Sequence, residues 1–293
     1  MKWTTAEELV KWIEGFQHLH SGKYICPNFF KPYHLITLGL ALKKAGCTDL
    51  KVPSTLAPYA TRMHLWEAIG ITPPKTISKF PPDGRFLPIH AFRKNNDILT
   101  PDINNEVNQL VSQLIGVIRK NTSSEYQASL SVCLLEIVNN FYDHAHPHNS
   151  LPCLISGQSW PRGNLIQIAI ADSGIGIRES LSENAALLDE LKNGNACELA
   201  SKYGVTSKPN KNHSGYGLTL AKDLMTQSNG SYILISGNEL FSCANGVNNS
   251  TQIDCLLNGT LLVLEWAIDS QLNTTSVYQS WPLPEGFNEN DFF

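Results

Sequence analysis

The sequence predicts a mixed α+β fold, in which a small α/β domain of residues 1–100 precedes a larger domain of residues 101–270. The chain has 293 residues, enough for two domains that each bury a core. Helix and strand patterns alternate in the first hundred residues, as they do in small α/β modules. Five of the 16 prolines fall between residues 72 and 88, and this stretch predicts a connector ahead of the boundary.

The first domain is predicted to hold three helices and two short strands. Residues 4–19 begin with Thr before two first-turn Glu residues and then repeat apolar side chains at helical spacing. The same spacing predicts helices over residues 33–44 and 59–69, each ended by a glycine. The strand candidates are residues 50–52 and 86–92.

Two amphipathic helices, over residues 103–119 and 124–144, begin the second domain. Residues 164–171 alternate and then become continuously apolar, which is typical of a central strand. Residues 178–213 are mostly polar, so we expect a mobile flap with one helical patch at 183–191.

The last third of the chain predicts a helix, a strand, a hairpin and a tail. A patterned helix follows Gly217, and residues 231–236 are a strand. An insertion rich in Asn and Gly is expected at residues 237–249. Residues 251–257 and 259–268 then predict a hairpin around Asn258 and Gly259, followed by a polar tail at 271–293.

Composition excludes several classes of function. The net charge is −4 and no long basic run occurs, so a nucleic-acid footprint is not expected. The seven cysteines form no CxxC pair, and no basic-then-apolar leader opens the chain. No apolar run is long enough to cross a bilayer. These features predict a cytoplasmic protein without a membrane segment.

One stretch, LLEIVNNFYDHA at residues 134–145, carries an uncommon polar face. In a helix, Glu136, Asn140 and Asp143 lie four and then three residues apart and project from one side. Such a face can hold a divalent cation and activate a hydroxyl. Taken alone, this segment is better explained as a solvated helix surface.

Two glycine motifs follow the stretch. Asp172 ends the central strand and precedes Gly174 and Gly176, so its carboxylate can accept a hydrogen bond from an exocyclic amine while the backbone passes close to a planar ring. The run Ser214-Gly215-Tyr216-Gly217-Leu218 opens a helix, where free N–H groups favour phosphate. Either motif alone also fits an ordinary turn.

The order of these three motifs resembles the ATP-binding fold of the GHKL superfamily, which includes gyrase B subunits, heat-shock chaperones, MutL and histidine kinases. The resemblance covers roughly residues 103–268 and implies a Bergerat α/β sandwich that binds ATP and Mg²⁺. It implies that Glu136 activates the attacking water or hydroxyl and that Asn140 coordinates Mg²⁺, with Glu136 as a second candidate ligand. The remaining implied nucleotide contacts are Asp143, His144, Asp172, Gly174, Gly176, Ser214, Gly215, Tyr216, Gly217, Leu218 and Thr260.

Within this resemblance the roles differ. Asp172 matches the carboxylate that reads the adenine amino group, and Thr260 matches a residue that supports it. Gly215 and Gly217 match the phosphate-facing glycines. The flap residues Lys208, Lys211 and His213 are candidates for a cation near the γ-phosphate, although lysines in a polar loop are usually solvated.

Two features that the sequence lacks disfavour some branches of the superfamily. None of the nine histidines is followed by Glu or Asp, which disfavours a complete sensor histidine kinase. About 30 residues follow Thr260, which leaves no room for the second domain of gyrase, MutL or the chaperones. The spacing of Glu136, Asn140 and His144 is similar to that of stand-alone bacterial proteins such as anti-sigma-factor serine kinases. Residues 59–71, YATRMHLWEAIGI, are similar to STAS-like modules that contact proteins.

The resemblance therefore implies an intracellular, ATP-binding regulator. We expect it to hydrolyse ATP or to phosphorylate Ser or Thr of a partner protein that the N-terminal module binds, with a homodimer among the expected assemblies. The alternatives are a switch that binds ATP without useful chemistry and an effector of a defence or toxin–antitoxin operon.

Overall fold

The computed structural model describes residues 2–16, 27, 29–46, 56–71, 84–93, 103–118, 122–145, 152–209 and 215–282. Within these ranges five antiparallel strands form one sheet in the order β1-β2-β3-β5-β4. The strands are β1 Phe86–Phe92, β2 Cys153–Trp160, β3 Leu165–Asp172, β4 Ser231–Ala244 and β5 Val247–Trp266. The fold is therefore mixed α+β, as predicted.

Helices cover both faces of the sheet. They are α1 Ala6–Glu14, α2 Pro32–Lys44, α3 Ala57–Arg62, α4 Leu65–Ile69, α5 Ile103–Ile118, α6 Ser124–His144, α7 Ile177–Ser182, α8 Leu188–Asn193, α9 Ala196–Ala200, α10 Gly217–Gln227 and α11 Thr274–Ser280. Caps set two of the starts: Thr5 and Glu8 form a capping box at α1, and Ser123 accepts the N–H of Tyr126 at α6. The single helix predicted at 59–69 is wrong, because His64 is left-handed (φ 58°) and separates α3 from α4.

The two faces of β3 contact different cores, because side chains alternate along a strand. Ile166, Ile168 and Ile170 belong to a core that helices α5, α6 and α10 cover. Ala169 and Ala171 face a second core, built with helices α1, α2 and α4.

The N-terminal helices pack on the same sheet that carries the second domain's strands. Strand β1, which precedes the boundary predicted near residue 100, pairs with β2 beyond it. A buried ion pair also crosses this boundary, with Nζ of Lys31 3.7 Å from Oε1 of Glu265. The described residues on both sides thus share one sheet, and the division into domains stays a prediction. The strand predicted at 50–52 lies outside the described residues.

The segment predicted as a mobile flap is largely packed. Residues 177–200 form α7, α8 and α9, and Leu181, Cys197 and Leu199 are buried in the core. The prediction failed because the apolar side chains are spread over three short helices, which gives no long periodic pattern. The end of this segment, residues 210–213, is not among the described residues.

The predicted hairpin around Asn258 and Gly259 is also wrong. Residues 247–266 form the single strand β5, and the chain reverses at Asn245 and Gly246, which both have positive φ. Residues 231–268 contain two Asn-Gly pairs, and the first of these, Asn245-Gly246, makes the turn. The residues expected to form an insertion therefore extend β4 and β5, with an irregularity in pairing at Gly237.

The expected polar tail begins with structure. Helix α11 lies within it, and Leu272 and Val277 are buried against the core. The N–H of Thr274 donates to Oγ of Ser129 on α6 at 2.9 Å. Residues 272–277 are thus part of the packed fold.

Candidate functional site

A cavity of about 250 Å³ lies between the sheet, α6, the start of α7 and the start of α10. Eleven of the residues predicted from sequence line it: Glu136, Asn140, Asp143, His144, Asp172, Gly176, Gly215, Tyr216, Gly217, Leu218 and Thr260. Gly174 does not line it, and Ser214 lies outside the described residues. Segments distant in sequence therefore converge on one space.

Helix α6 supplies one wall of the cavity. Glu136, Asn140 and Asp143 all line it, as their helical spacing predicts. Leu134 and Val138, on the other side of the helix, are fully buried and fix its orientation against the core. The polar face of this helix is therefore a cavity wall and not a solvated surface.

The end of β3 and the neighbouring part of β5 form the floor. Asp172, the last residue of β3, pairs directly with Thr260 of β5. Burial raises the pKa of Asp172 to about 6, while hydrogen bonds from the N–H of Gly174 and from the side chain of Thr260 act in the opposite direction. The floor thus offers a partly buried carboxylate that is mostly ionised at neutral pH and can accept a hydrogen bond.

Two glycines let the chain pass tightly beside this carboxylate. A Cβ on Gly174 would clash with the carbonyl oxygen of Ala145, and one on Gly259 would clash with the carbonyl oxygen of Asp172. Gly174 also donates its N–H to Oδ1 of Asp172 at 2.7 Å. Gly174 therefore shapes the floor from behind and orients Asp172.

The start of α10 forms the opposite end of the cavity. Gly215 is left-handed (φ 67°), and the first helical hydrogen bond runs from the N–H of Leu220 to the carbonyl of Tyr216 at 2.7 Å. Among the described residues no side chain caps this helix. The N–H groups of residues 217–219 and the positive end of the helix dipole are thus available to an anion.

A short strap, defined as residues Val205 to Lys208, borders the cavity. Its first three residues line the cavity, and Oγ of Ser207 lies 2.8 Å from Nδ1 of His144. The ammonium of Lys208 donates to the backbone carbonyl of Asp143. Lys211 and His213, the other two cation candidates, are outside the described ranges.

A scan against models of known protein families finds no match to this chain, and a search of curated proteins finds none either. Across the described ranges, no helix has both the length and the apolar character that a bilayer crossing requires.

Oxygen donors suit Mg²⁺, and the cavity wall offers them. Asn140 and Glu136 line the cavity one helical turn apart. Their amide and carboxylate oxygens are donors of the type that Mg²⁺ binds together with substrate phosphates. In the described part of the chain, no group of three or more His, Cys, Asp or Glu side chains is arranged to hold a metal ion. The residues present fit a cation that shares its ligands with a phosphate, and not a site made by the protein alone.

Several lining residues were not identified from the sequence. Ile170 and Leu262 could have been found, because each lies two residues from a predicted floor residue on the same strand face. Cys153 comes from β2, where nothing in its neighbourhood in sequence points to the site. No sequence pattern points to the strap residue Ser207 either, because it lies in a polar run without periodicity.

Proposed function

We propose that the protein binds ATP with Mg²⁺ in this cavity and either hydrolyses it or transfers its γ-phosphoryl group to Ser or Thr of a partner protein, as the GHKL resemblance implies. One observation carries the proposal. A carboxylate and an amide on α6, a partly buried carboxylate at the end of β3 and the start of α10 line the same cavity. These are the groups that a purine, a cation and a chain of phosphates need.

The adenine end of the proposed site is the floor. The carboxylate of Asp172 would accept the exocyclic amino group, and Thr260 would hold that carboxylate in place. Ile170, Ile177 and Leu262 supply apolar surface beside them, which suits the faces of a planar ring. Orientation by one polar group among apolar walls is typical of small-molecule sites.

The phosphate end is the start of α10. Its free N–H groups would bind phosphate oxygens, and Asn140 lies beside them. Asn140 would hold Mg²⁺, which neutralises charge across the phosphates when it is bound. Charge neutralisation and alignment account for most of the catalysis in phosphoryl transfer.

Glu136 is the proposed general base. As the oxygen of water or of a Ser or Thr hydroxyl bonds to the γ-phosphorus, its proton would pass to the Glu136 carboxylate. The bond between the γ-phosphorus and the bridging oxygen would break, and ADP would leave with that electron pair. The role requires only that the carboxylate reach the nucleophile, and Glu136 lines the cavity next to Gly217.

The test is incubation of the full chain with γ-labelled ATP and Mg²⁺, with and without cell lysate, while free phosphate and labelled proteins are followed separately. Release of phosphate alone indicates a hydrolase, and label on another protein indicates a kinase. ATP binding without either product favours the alternative of a conformational switch. If the wild-type protein fails to bind ATP at millimolar concentration, the proposal is wrong.

A matched pair of variants assigns the base. Glu136→Gln should keep ATP binding and lose turnover by about 100-fold or more, since general bases contribute about 10²–10⁴-fold. Glu125→Gln changes an exposed carboxylate in the first turn of the same helix and should leave turnover unchanged. Turnover at the wild-type rate in Glu136→Gln would show that Glu136 is not the general base.

A further inference from the structure

Four aromatic side chains gather beside the start of α10. The rings of Tyr203 and Tyr216 stack with centroids 4.6 Å apart and an interplanar angle of 20°. The indole of Trp281 lies 5.1 Å from the Tyr203 ring and 5.3 Å from the Tyr216 ring. Tyr278 adds an edge contact to Trp281 at 5.1 Å. We call this group the aromatic cluster.

The aromatic cluster connects the end of the described chain to the glycine turn of the cavity. Tyr216 stands between Gly215 and Gly217 and itself lines the cavity. Gly215 has positive φ, and neither glycine has a side chain that could pack. The Tyr216 ring is therefore the side chain through which neighbouring elements can hold this turn in one conformation.

Trp281 is itself fixed in place. Its Nε1 donates to Oδ2 of Asp223 on α10 at 2.8 Å. The preceding helix α11 is anchored to α6 through Thr274 and Ser129, and Val277 is fully buried. Residues 274–282 thus bridge α6, which lines one wall of the cavity, and α10, whose start lies at the opposite end.

We infer that residues 274–282 are a positioning element, in which Trp281 holds Tyr216 against Tyr203 and so sets the glycine turn that presents the N–H groups of α10. A turn held in one conformation before the ligand arrives binds an anion more tightly, because less freedom is lost on binding. The identity of that anion as a nucleotide phosphate rests on the proposed function. The positioning of the turn does not depend on the proposed function.

The first test uses the full chain without nucleotide. Amide hydrogen exchange is followed at Leu220, whose N–H closes the turn by donating to the carbonyl of Tyr216, in the wild type, Trp281→Ala and Trp281→Phe, with β3 as the internal standard for global unfolding. Trp281→Ala should speed exchange at the turn on the order of tenfold, which corresponds to losing one to two aromatic pairs. Trp281→Phe keeps a ring and should restore most of the protection. Unchanged exchange in Trp281→Ala would overturn the inference.

Two further variants isolate the cause. Asp223→Ala frees the indole without removing it and should raise exchange at the turn by a smaller factor. Trp3→Ala removes another indole, 37 % exposed and outside the aromatic cluster, and should leave the turn unchanged. Equal effects of Trp3→Ala and Trp281→Ala at the turn would contradict a specific role for Trp281.

The second test measures ATP affinity by calorimetry in the same variants. Trp281→Ala should bind ATP about tenfold more weakly, and Trp281→Phe should recover that loss. Wild-type affinity in Trp281→Ala would count against the inference while leaving the proposed function intact. If the wild type binds no ATP but the turn still exchanges faster in Trp281→Ala, the proposed function fails and the positioning role stands.

Discussion

Gly217 lies so close to Asn140 that a Cβ at position 217 would stand 2.9 Å from the Nδ2 atom of Asn140. The start of α10 and the polar face of α6 therefore meet through a residue that has no side chain. Gly217→Ala should displace the Asn140 amide and weaken ATP binding by at least about tenfold, because the site must be held to within about 0.5 Å. Calorimetric titration with Mg²⁺ and ATP measures this change.

The control for this substitution is Gly116→Ala in α5, where a Cβ would meet nothing within 4 Å. That change should leave ATP binding unaltered and raise the free energy of unfolding by about 0.5–1 kcal/mol, since alanine favours the helix. Wild-type affinity in Gly217→Ala would show that the contact with Asn140 has no part in binding.

The raised pKa of Asp172 makes stability depend on pH in a defined direction. Burial favours the neutral carboxyl in the folded state, and its pKa is about 6, whereas an exposed Asp titrates near about 4. The stabilising contribution of this group is therefore complete below about pH 4 and is lost as the pH rises through about 6. Chemical denaturation between these values should show the wild type losing stability relative to Asp172→Asn.

The affinity for ATP should change with pH in the direction opposite to the change in stability. The ionised carboxylate accepts the hydrogen bond from the exocyclic amine, so affinity should rise as the pH passes through about 6. Asp172→Asn lacks this titration, and its affinity should be low and nearly constant over the same range. A wild-type affinity that does not change across about pH 6 would argue against contact between Asp172 and the base.

A buried carboxylate holds the start of α7, next to the cavity. Glu239 is 1 % exposed and accepts two hydrogen bonds of 2.7 Å from Arg178, which follows the cavity residue Ile177. Arg178→Ala should lower the free energy of unfolding by about 3 kcal/mol, the lower end for a broken buried pair, because the Arg178 side chain is 43 % exposed. Urea denaturation measures the loss.

The comparison is Lys192→Ala, which removes an ion pair with Asp189 whose side chains are 69 % and 91 % exposed. That substitution should change stability by less than about 0.5 kcal/mol. Adding Glu239→Gln to Arg178→Ala should recover part of the loss, because a neutral amide replaces the unpaired charge. If the double variant is less stable than Arg178→Ala, the lost stability does not come from the stranded carboxylate.

The ion pair of Lys31 and Glu265 offers a test of the domain division. Both residues are buried, and Glu265 also accepts hydrogen bonds from the N–H and the hydroxyl of Thr4. Lys31→Ala should cost about 3–5 kcal/mol, because it leaves a buried carboxylate without its cation. If residues 1–100 unfold with the sheet, one cooperative transition should shift. A separate early transition would support two folding units.

Most of the polar residues of the cavity could be predicted from the sequence, because they lie in elements that have strong local patterns. Glu136 and Asn140 follow helical spacing on a long capped helix, and Asp172 ends an apolar strand. The glycines at 215 and 217 begin a helix with a clear apolar stripe. In each case the local periodicity also fixes the direction in which the side chain points.

The predictions failed where long-range packing decides the structure. Gly259 was expected in a turn, yet β5 continues through it with φ 100°, since pairing with β3 and β4 extends on both sides. Leu199 and Cys197 lie in a short helix whose burial depends on the sheet and not on its own pattern. Likewise no local pattern indicates that Trp281 would lie beside Tyr216, 65 positions earlier in the chain.

Strand β3 contributes side chains to both cores. Ile170 borders the cavity, while its neighbours Ala169 and Ala171 support the N-terminal helices on the reverse side of the sheet. Because alanine side chains are short, α2 packs close to the backbone of β3. We therefore expect a small displacement of that helix to move the strand as well. If the proposed function holds, a protein that docks on the N-terminal helices would influence the nucleotide through the thickness of one strand, without reaching the cavity.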